Sequence, residues 1–454
     1  MRRIGLTALW IGLALSACHR SVSDDTPLLR ALRDPPARAG RAILFIGDGM
    51  GDAEITIARN YHVGAAGRLA MDRLPLTGEC TTYAVEENDP RRPVYVADSA
   101  AGGTALATGV KTSNKRVSTA PITGARLATL SERAQTAGLR SGIVTTADLT
   151  DATPACFASH AHHRSCRAPA EMQVCPDDTR ARGGPGSIAE QMAVGGVDVL
   201  LGGGRSRFEQ RLADGPDQNR SAGEIAAARG YHIVHSTAEL RRFMAAPPKA
   251  VDFLLGLFAP IDLDPVWTGE PARTYPGSGP QRCIEGQRPD VQPSLAEMTI
   301  AALAWLDRRA SDGSQSPGFF LMVEGASIDK RDHAADPCGQ IGETIDFDEA
   351  IAVGLAYADS HPDTLVVITA DHAHASQAIY PPGERDHSPG QFSTLITREG
   401  VPLVVNYGTN INDVRQSHSG TQVRVAARGP RAGELVGLVD HTDVFRVITA
   451  ALGI

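Results

Sequence analysis

Short apolar runs recur along this chain, and several of them stop at an acidic residue. Ile43-Leu44-Phe45-Ile46 runs into Gly47-Asp48-Gly49-Met50-Gly51, and Phe319-Phe320-Leu321-Met322-Val323 runs into Glu324. Thr364-Leu365-Val366-Val367-Ile368-Thr369-Ala370 runs into Asp371-His372-Ala373-His374. Runs of this length, apolar on both alternating faces, are the signature of strands buried inside a sheet. Helical stretches lie between such runs. Thr129-Leu130-Ser131-Glu132 is a capping box that opens a helix, closed by Gly138 before the strand Gly142-Ile143-Val144-Thr145-Thr146. Helices are predicted near 187–194, 221–228, 294–309 and 344–358, each followed by an apolar strand. This alternation predicts an α/β fold, a three-layer sandwich whose large, mostly parallel central sheet is flanked by helices. The Pro-, Gly- and Arg-rich stretch from about 269 to 293 reads as an excursion from that pattern, with Cys283 as a candidate pin.

The acidic strand ends carry the chemistry. Val323-Glu324-Gly325-Ala326-Ser327-Ile328-Asp329-Lys330 is followed by Arg331-Asp332-His333, so Asp329 and His333 share one face of a helical turn. Mixed oxygen and imidazole nitrogen suits zinc. The alternative for this segment alone is a helix start with a surface ion pair. A second strand end delivering Asp371 and His372, and a third delivering Asp48, point instead to one multinuclear metal site. Ligands collect at the carboxyl ends of parallel strands.

A nucleophile candidate stands in Asp98-Ser99-Ala100-Ala101-Gly102-Gly103-Thr104-Ala105-Leu106-Ala107-Thr108-Gly109, where an Ala-rich helix begins near Ser99. Capping is the ordinary task of Asp or Ser there. The alternative is that Ser99 is a nucleophile at a helix N-terminus, where N–H groups and the dipole favour an alkoxide and a phosphate. No histidine lies nearby in sequence, so a metal cluster is the more economical activator.

With these segments in hand, the chain resembles the bacterial alkaline phosphatases of the periplasmic, two-zinc-plus-magnesium type. The matching segments are Ile46-Gly47-Asp48-Gly49-Met50-Gly51, Asp98-Ser99-Ala100, Thr108-Gly109-Val110-Lys111-Thr112, Asp151-Ala152-Thr153-Pro154-Ala155, Val323 to Lys330, Thr369 to His374, and His418-Ser419-Gly420. They occur in family order from Asp48 to His418. The resemblance implies one zinc held by Asp329, His333 and His418, and a second held by Asp48, Asp371 and His372 with Ser99 as nucleophile. It implies one magnesium per chain between Asp48, Thr153 and Glu324, an all-oxygen set suited to a hard cation. Arg164 matches the arginine that grips two phosphate oxygens. Asp151 and Lys330 match the pair contacting magnesium-bound water and phosphate, which places the chain with magnesium-dependent members. His162, His163 and His374 neighbour these residues but are not ligands in the family. A homodimer is also implied.

Composition then sets the compartment. Arg2-Arg3, the apolar stretch Ile4 to Ala14 and Leu15-Ser16-Ala17-Cys18 read as a lipoprotein signal over residues 1–17, with Cys18 lipidated. Cleavage after Ala17 that leaves Cys18 a plain thiol is the alternative. Residues 18–40 read as a tether, and 41–454 as a single catalytic domain with insertions. The expected location is the periplasm, with membrane contact only through the lipid anchor. A formal net charge of -8 argues against a nucleic-acid-binding surface. Leaving Cys18 aside, the other six cysteines allow fifteen pairings. The resemblance selects Cys166–Cys175 and Cys283–Cys338, while Cys80 and Cys156 either pair or remain thiols.

The expected activity is hydrolysis of small-molecule phosphate monoesters through a phosphoserine, by two in-line steps. A sulfatase would need a Cys/Ser-x-Pro-x-Arg segment, which Asp98-Ser99-Ala100-Ala101-Gly102 is not. Diesterases of the same superfamily usually lack the Arg164 and magnesium features. A non-catalytic phosphate- or metal-binding lipoprotein is the rival from another class, and it leaves the joint presence of Ser99, Arg164 and every ligand unexplained.

Overall fold

The computed structural model describes residues 38–454 apart from 214, 216, 249–250, 312–317, 386 and 412–414. The leader, Cys18 and nearly all of the tether lie outside the described residues. A ten-stranded sheet forms the centre. Strand Arg41–Gly47 lies in its middle, parallel to Phe319–Gly325 on one side and to Thr364–Ala370 on the other. Beyond Phe319–Gly325 come Arg140–Asp148, Val199–Gly203, Phe253–Leu257 and Tyr231–Val234, all parallel. On the other flank Val423–Arg428 is antiparallel to both neighbours, so the sheet is mostly parallel. Residues of the three central strands are buried throughout except Arg41, as their unbroken apolar runs require.

The register explains why chemistry gathers at one edge. Gly47 is level with Gly325 in one neighbour and with Ala370 in the other. Glu324, Asp48 and Asp371 therefore emerge within one residue step of a common row.

Helix boundaries follow their local signals. Thr129 accepts from the Glu132 amide and Glu132 accepts from the Thr129 amide, completing the expected capping box of helix Leu130–Thr136. Helices Ile188–Val194, Ala222–Ala228 and Leu295–Ser311 lie where the pattern put them. The helix expected at 344–358 instead spans Pro337–Ser360. Asp336 caps it by accepting from the Gly339 amide, and Pro337 occupies the first turn, where a missing N–H costs nothing.

The excursion is fastened at two points. Cys283 is bonded to Cys338, and Cys166 to Cys175, while Cys80 and Cys156 are buried free thiols. Arg288 is buried between Asp346, at 2.6 Å, and Glu343, at 3.1 Å. Within the excursion, Arg273–Thr274 and Ser278–Gln281 pair with Gln391–Ile396 in a second sheet that local pattern does not foretell. Arg288→Ala would leave two carboxylates buried without their counter-charge, and a loss of about 3–5 kcal/mol is expected. Urea unfolding checks it against Arg398→Ala, whose half-exposed pair with Glu285 should contribute under about 1 kcal/mol.

Candidate active site

Helix Ser99–Thr108 places Ser99 at its first position, and the side chain is 1 % exposed. Asp98 caps the helix, its Oδ1 accepting from the Ala101 amide at 3.0 Å. The helix end sits directly against the strand end of Thr364–Ala370. A Cβ on Gly102 would fall 2.5 Å from the Asp371 carbonyl oxygen, so only glycine permits this approach. Ser99 Oγ is thereby brought to 3.2 Å from His372 Nε2 and 3.4 Å from Asp48 Oδ1. His372 Nε2 lies 3.3 Å from Asp48 Oδ1 and 3.5 Å from Asp371 Oδ2. The other Asp371 oxygen accepts from the Gly49 and His372 amides.

A second cluster adjoins the first. Asp329 Oδ1 is 3.4 Å from His333 Nε2, 3.3 Å from His418 Nε2 and 3.2 Å from His374 Nε2. The Nδ1 atoms of His333 and His418 donate to the carbonyls of Gln416 and Ala97, at 2.5 and 3.0 Å. Those bonds leave the Nε2 lone pairs facing the centre, the arrangement in which imidazoles are held ready for a metal. His374 is oriented the opposite way. Its Nδ1 accepts from the Ala375 amide at 2.9 Å, so the ring proton sits on Nε2, facing Asp329. His374 therefore supports Asp329 and offers no lone pair to a cation.

Behind Ser99, Arg164 Nη1 donates to Asp98 Oδ2 at 3.2 Å and Nη2 donates to Asp151 Oδ1 at 3.1 Å. Its backbone amide donates to the Lys115 carbonyl at 2.7 Å. Lys330 Nζ donates to Asp151 Oδ2 at 2.5 Å. His162 is bound to Asp178 at 2.6 Å, and His163 Nδ1 accepts from the Ser165 amide, so both serve the loop that carries Arg164.

A family model for alkaline phosphatase matches residues 40–408. The chain belongs to the alkaline phosphatase family. It is 52 % identical over 426 residues to a streptomycin-6-phosphate phosphatase of Streptomyces griseus, covering 93 % of this chain and 92 % of that protein. It is 44 % identical over 448 residues to the alkaline phosphatase of Escherichia coli, covering 97 % and 92 % of the two chains. The fold is shared with the alkaline phosphatase of the Antarctic bacterium TAB5 at a TM-score of 0.67 and 22 % identity, covering 92 % and 99 %. As a phosphatase of this family the protein is a phosphomonoester hydrolase, and the family is metal-dependent.

The residues of this alkaline phosphatase fit cations on their own chemistry. Asp329 Oδ1, Asp371 Oδ2 and Thr153 Oγ1 are buried without an aligned hydrogen-bond partner. Two ligand groups emerge: Asp329 with His333, His374 and His418, and Asp48 with Asp329 and His372. They differ from the expected sets in drawing Asp329 rather than Asp371 toward Asp48, and in including His374, which its Nδ1 bond to the Ala375 amide makes a support for Asp329 and not a ligand. Burial raises Asp48 well above the carboxylate range, helped by the charges of Asp371, Asp329 and Glu324. Burial, then Asp329, pushes Asp371 up to about 7. Burial also pushes Glu324 up to about 8, although the Thr145 hydroxyl opposes it. Asp329 is the exception. Burial would raise it, but His374 and His418 hold it well below the usual range.

Three contributors escaped the motifs. Asp98 was legible as a cap, yet it also holds Arg164. His374 was set aside as a bystander, and its role depends on a backbone bond that no pattern reveals. Arg167 donates to Asp151 Oδ1 at 2.5 Å and carries no motif at all.

These directions predict a pH response in chelator-treated protein. A carboxyl raised in the fold loses stability as pH climbs from its unfolded value, about 4, toward its folded one. Burial lowers His333 to about 4 and depresses His372, and they act only when pH falls below about 6.5. Burial would lower His418, but its bond to Asp329 raises it, so between about 6.5 and 8 the raised carboxylates and His418 all lose stability in the same direction. The melting temperature of stripped protein should fall as pH rises across that window, and added zinc should abolish the slope. A flat profile in stripped protein would count against the carboxylate clustering.

Proposed function

We propose that this phosphatase works through Ser99 as a covalent nucleophile, at a site built for two zinc ions and one magnesium. The observation that carries the reading is the position of Ser99 Oγ, buried within 3.4 Å of both His372 and Asp48 and backed by Arg164. Asp329, His333 and His418 would hold one zinc, Asp48, Asp371 and His372 the other, and Asp48, Thr153 and Glu324 the magnesium, supplying Lewis acidity for ionising Ser99 and stabilising the departing oxygen. Ser99 Oγ attacks phosphorus in line and the ester oxygen leaves, giving a phosphoserine. Arg164 turns its paired N–H groups onto two non-bridging oxygens, the bidentate fit of a planar fork. Water then displaces Ser99 from the opposite face. Two inversions predict net retention at phosphorus.

The substrate class is small phosphate monoesters, because the groups that converge here recognise phosphate rather than the ester alcohol. Residues 41–454 act as one catalytic domain, since its ligands come from positions 48 to 418. The same reading takes the enzyme as an exported homodimer, periplasmic and tethered by lipid at Cys18. The two disulfides support an oxidising compartment. Among the described residues no helix is long and apolar enough to cross a membrane.

Ser99→Ala should cut turnover of an aryl phosphate by about a thousandfold or more while metal content stays at the wild-type level. No phosphoserine should be trapped by acid quench, and a trapped phosphoenzyme in that variant would sink the assignment. Arg164→Ala should weaken inhibition by inorganic phosphate by about 1.5–3 kcal/mol, the value of charge-assisted hydrogen bonds. Unchanged inhibition would mean that Arg164 does not bind phosphate.

A further inference from the structure

Arg167 is the cation near the phosphate site to which the family resemblance assigns no role. It follows Arg164 by three residues and sits beside Cys166, which the Cys166–Cys175 bond holds in place. Its Nη2 donates to Asp151 Oδ1 at 2.5 Å, and its Nη1 lies 3.8 Å from Asp148 Oδ2. Asp148 is fully buried and fixed from behind. It accepts from the Thr150 amide and hydroxyl, both at 2.8 Å, and from Arg207 Nε at 3.1 Å. Arg207 is anchored in turn on Glu171. Arg167 is therefore strung between two carboxylates, on a support that does not involve Arg164.

The two arginines meet on one atom. Asp151 Oδ1 accepts from Arg167 at 2.5 Å and from Arg164 at 3.1 Å, while Oδ2 accepts from Lys330. Burial would raise Asp151, but Lys330, Arg167 and Arg164 together hold it well below the ordinary carboxylate range. Two of the five N–H groups of Arg164 are spent on Asp98 and Asp151 in this state, and these two become available to phosphate oxygens only when those bonds loosen. Asp98, its other acceptor, has substitutes in the amides of Ala101 and Lys115. Asp151 has Arg167. A buried carboxylate that loses a cationic partner is costly unless another remains on it. The shorter bond to Arg167 is the one that stays.

We propose that Arg167 is a positioning residue for phosphate binding: by satisfying Asp151 Oδ1 it frees the Arg164 guanidinium to turn onto the phosphate. This rests on the reading of Arg164 as the phosphate clamp. Without Arg167, Arg164 becomes the lone guanidinium on Asp151 Oδ1 and is retained there. The effect falls on ground-state phosphate affinity more than on the chemical step.

The test uses the metal-loaded enzyme with p-nitrophenyl phosphate as substrate and inorganic phosphate as competitive inhibitor, in wild type, R167A, R167K, R164A and R164A/R167A. In R167A, KM and the phosphate inhibition constant should rise on the order of tenfold, the loss usual when a residue behind a functional group is removed, with kcat changing far less. R167K keeps a donor on Asp151 and should recover most of that loss, which a purely structural role would not produce. In the R164A background, R167A should have little further effect, because the two residues act through one acceptor. Unchanged phosphate inhibition in R164A would overturn the clamp reading and this proposal with it. A normal R164A loss with an R167A effect that is absent, or fully additive, would overturn this proposal alone. If R167A is too unstable to assay, R167M replaces it, keeping the length of the side chain without its donors: a phosphate inhibition constant raised on the order of tenfold in R167M and recovered in R167K supports the role, and an unchanged constant in R167M refutes it.

Discussion

Everything at this site depends on holding like charges together away from water. Asp48, Glu324, Asp329 and Asp371 are each at most 6 % exposed. Three of the four are raised in the fold because burial and their neighbours oppose ionisation. Such a cluster persists only on a rigid frame and with positive charge in reach. The frame is the register of the central strands, which fixes Asp48, Glu324 and Asp371 within one residue step of a common row regardless of side-chain preference. The positive charge would have two sources, the cations that this metal-dependent family uses and the fixed Arg and Lys residues beside the cluster. The chain segregates them: carboxylates and imidazoles face the metal side, and Arg164, Arg167 and Lys330 gather around Asp151.

The strand ends were readable because buried parallel strands give unbroken apolar runs, and a carboxylate that ends one is conspicuous. Ser99 was readable as a helix start, and Gly109, at φ 70°, as its stop. Two kinds of information were not. Pairings between distant segments, such as Ser278–Gln281 with Gln391–Ile396, leave no local periodicity, so the excursion read as irregular. The state of a side chain set by a backbone contact is likewise silent in sequence. His374 shows this: His372 and His374 are chemically identical, yet the Ala375 amide on one Nδ1 turns that ring from acceptor to donor. The early start of helix Pro337–Ser360 was missed for a related reason. Its first turn, Pro337-Cys338-Gly339, is poor helix material held by an Asp336 cap and by the Cys338 bond to the excursion.

The loop from His160 to Asp178 shows how a mobile kind of segment is made stiff enough to aim a guanidinium. It contains little regular structure, and a loop of this sort would ordinarily sample many conformations. Here His160 bridges the Ser118 carbonyl and Glu132, and His162 ties back to Asp178. The Cys166–Cys175 bond closes the middle, and the Arg164 amide is stitched to the carbonyl of Lys115, in the turn that follows helix Ser99–Thr108. Histidines that sit close to metal-site motifs in sequence thus serve as braces, and their polarity is consumed by the loop itself.

Stiffness of the backbone and freedom of the side chain are separate requirements, and the arginines divide them. Arg164 is delivered by the braced loop, and on the proposed reading its guanidinium exchanges carboxylate contacts for phosphate oxygens when substrate binds. A clamp residue whose resting partners had no other donors would bind them too firmly to turn. Asp98 is supplied with backbone amides, and Asp151 with Arg167 and Lys330, so neither would be left as a bare buried charge if Arg164 turned away as proposed. The same donors would hold Asp151 in place during such an exchange, with the oxygen that accepts from Lys330 kept where it is. A site crowded with paired charges is in this respect better suited to repeated binding and release than a sparse one. Each resting contact is shared, and no single exchange leaves a buried group alone.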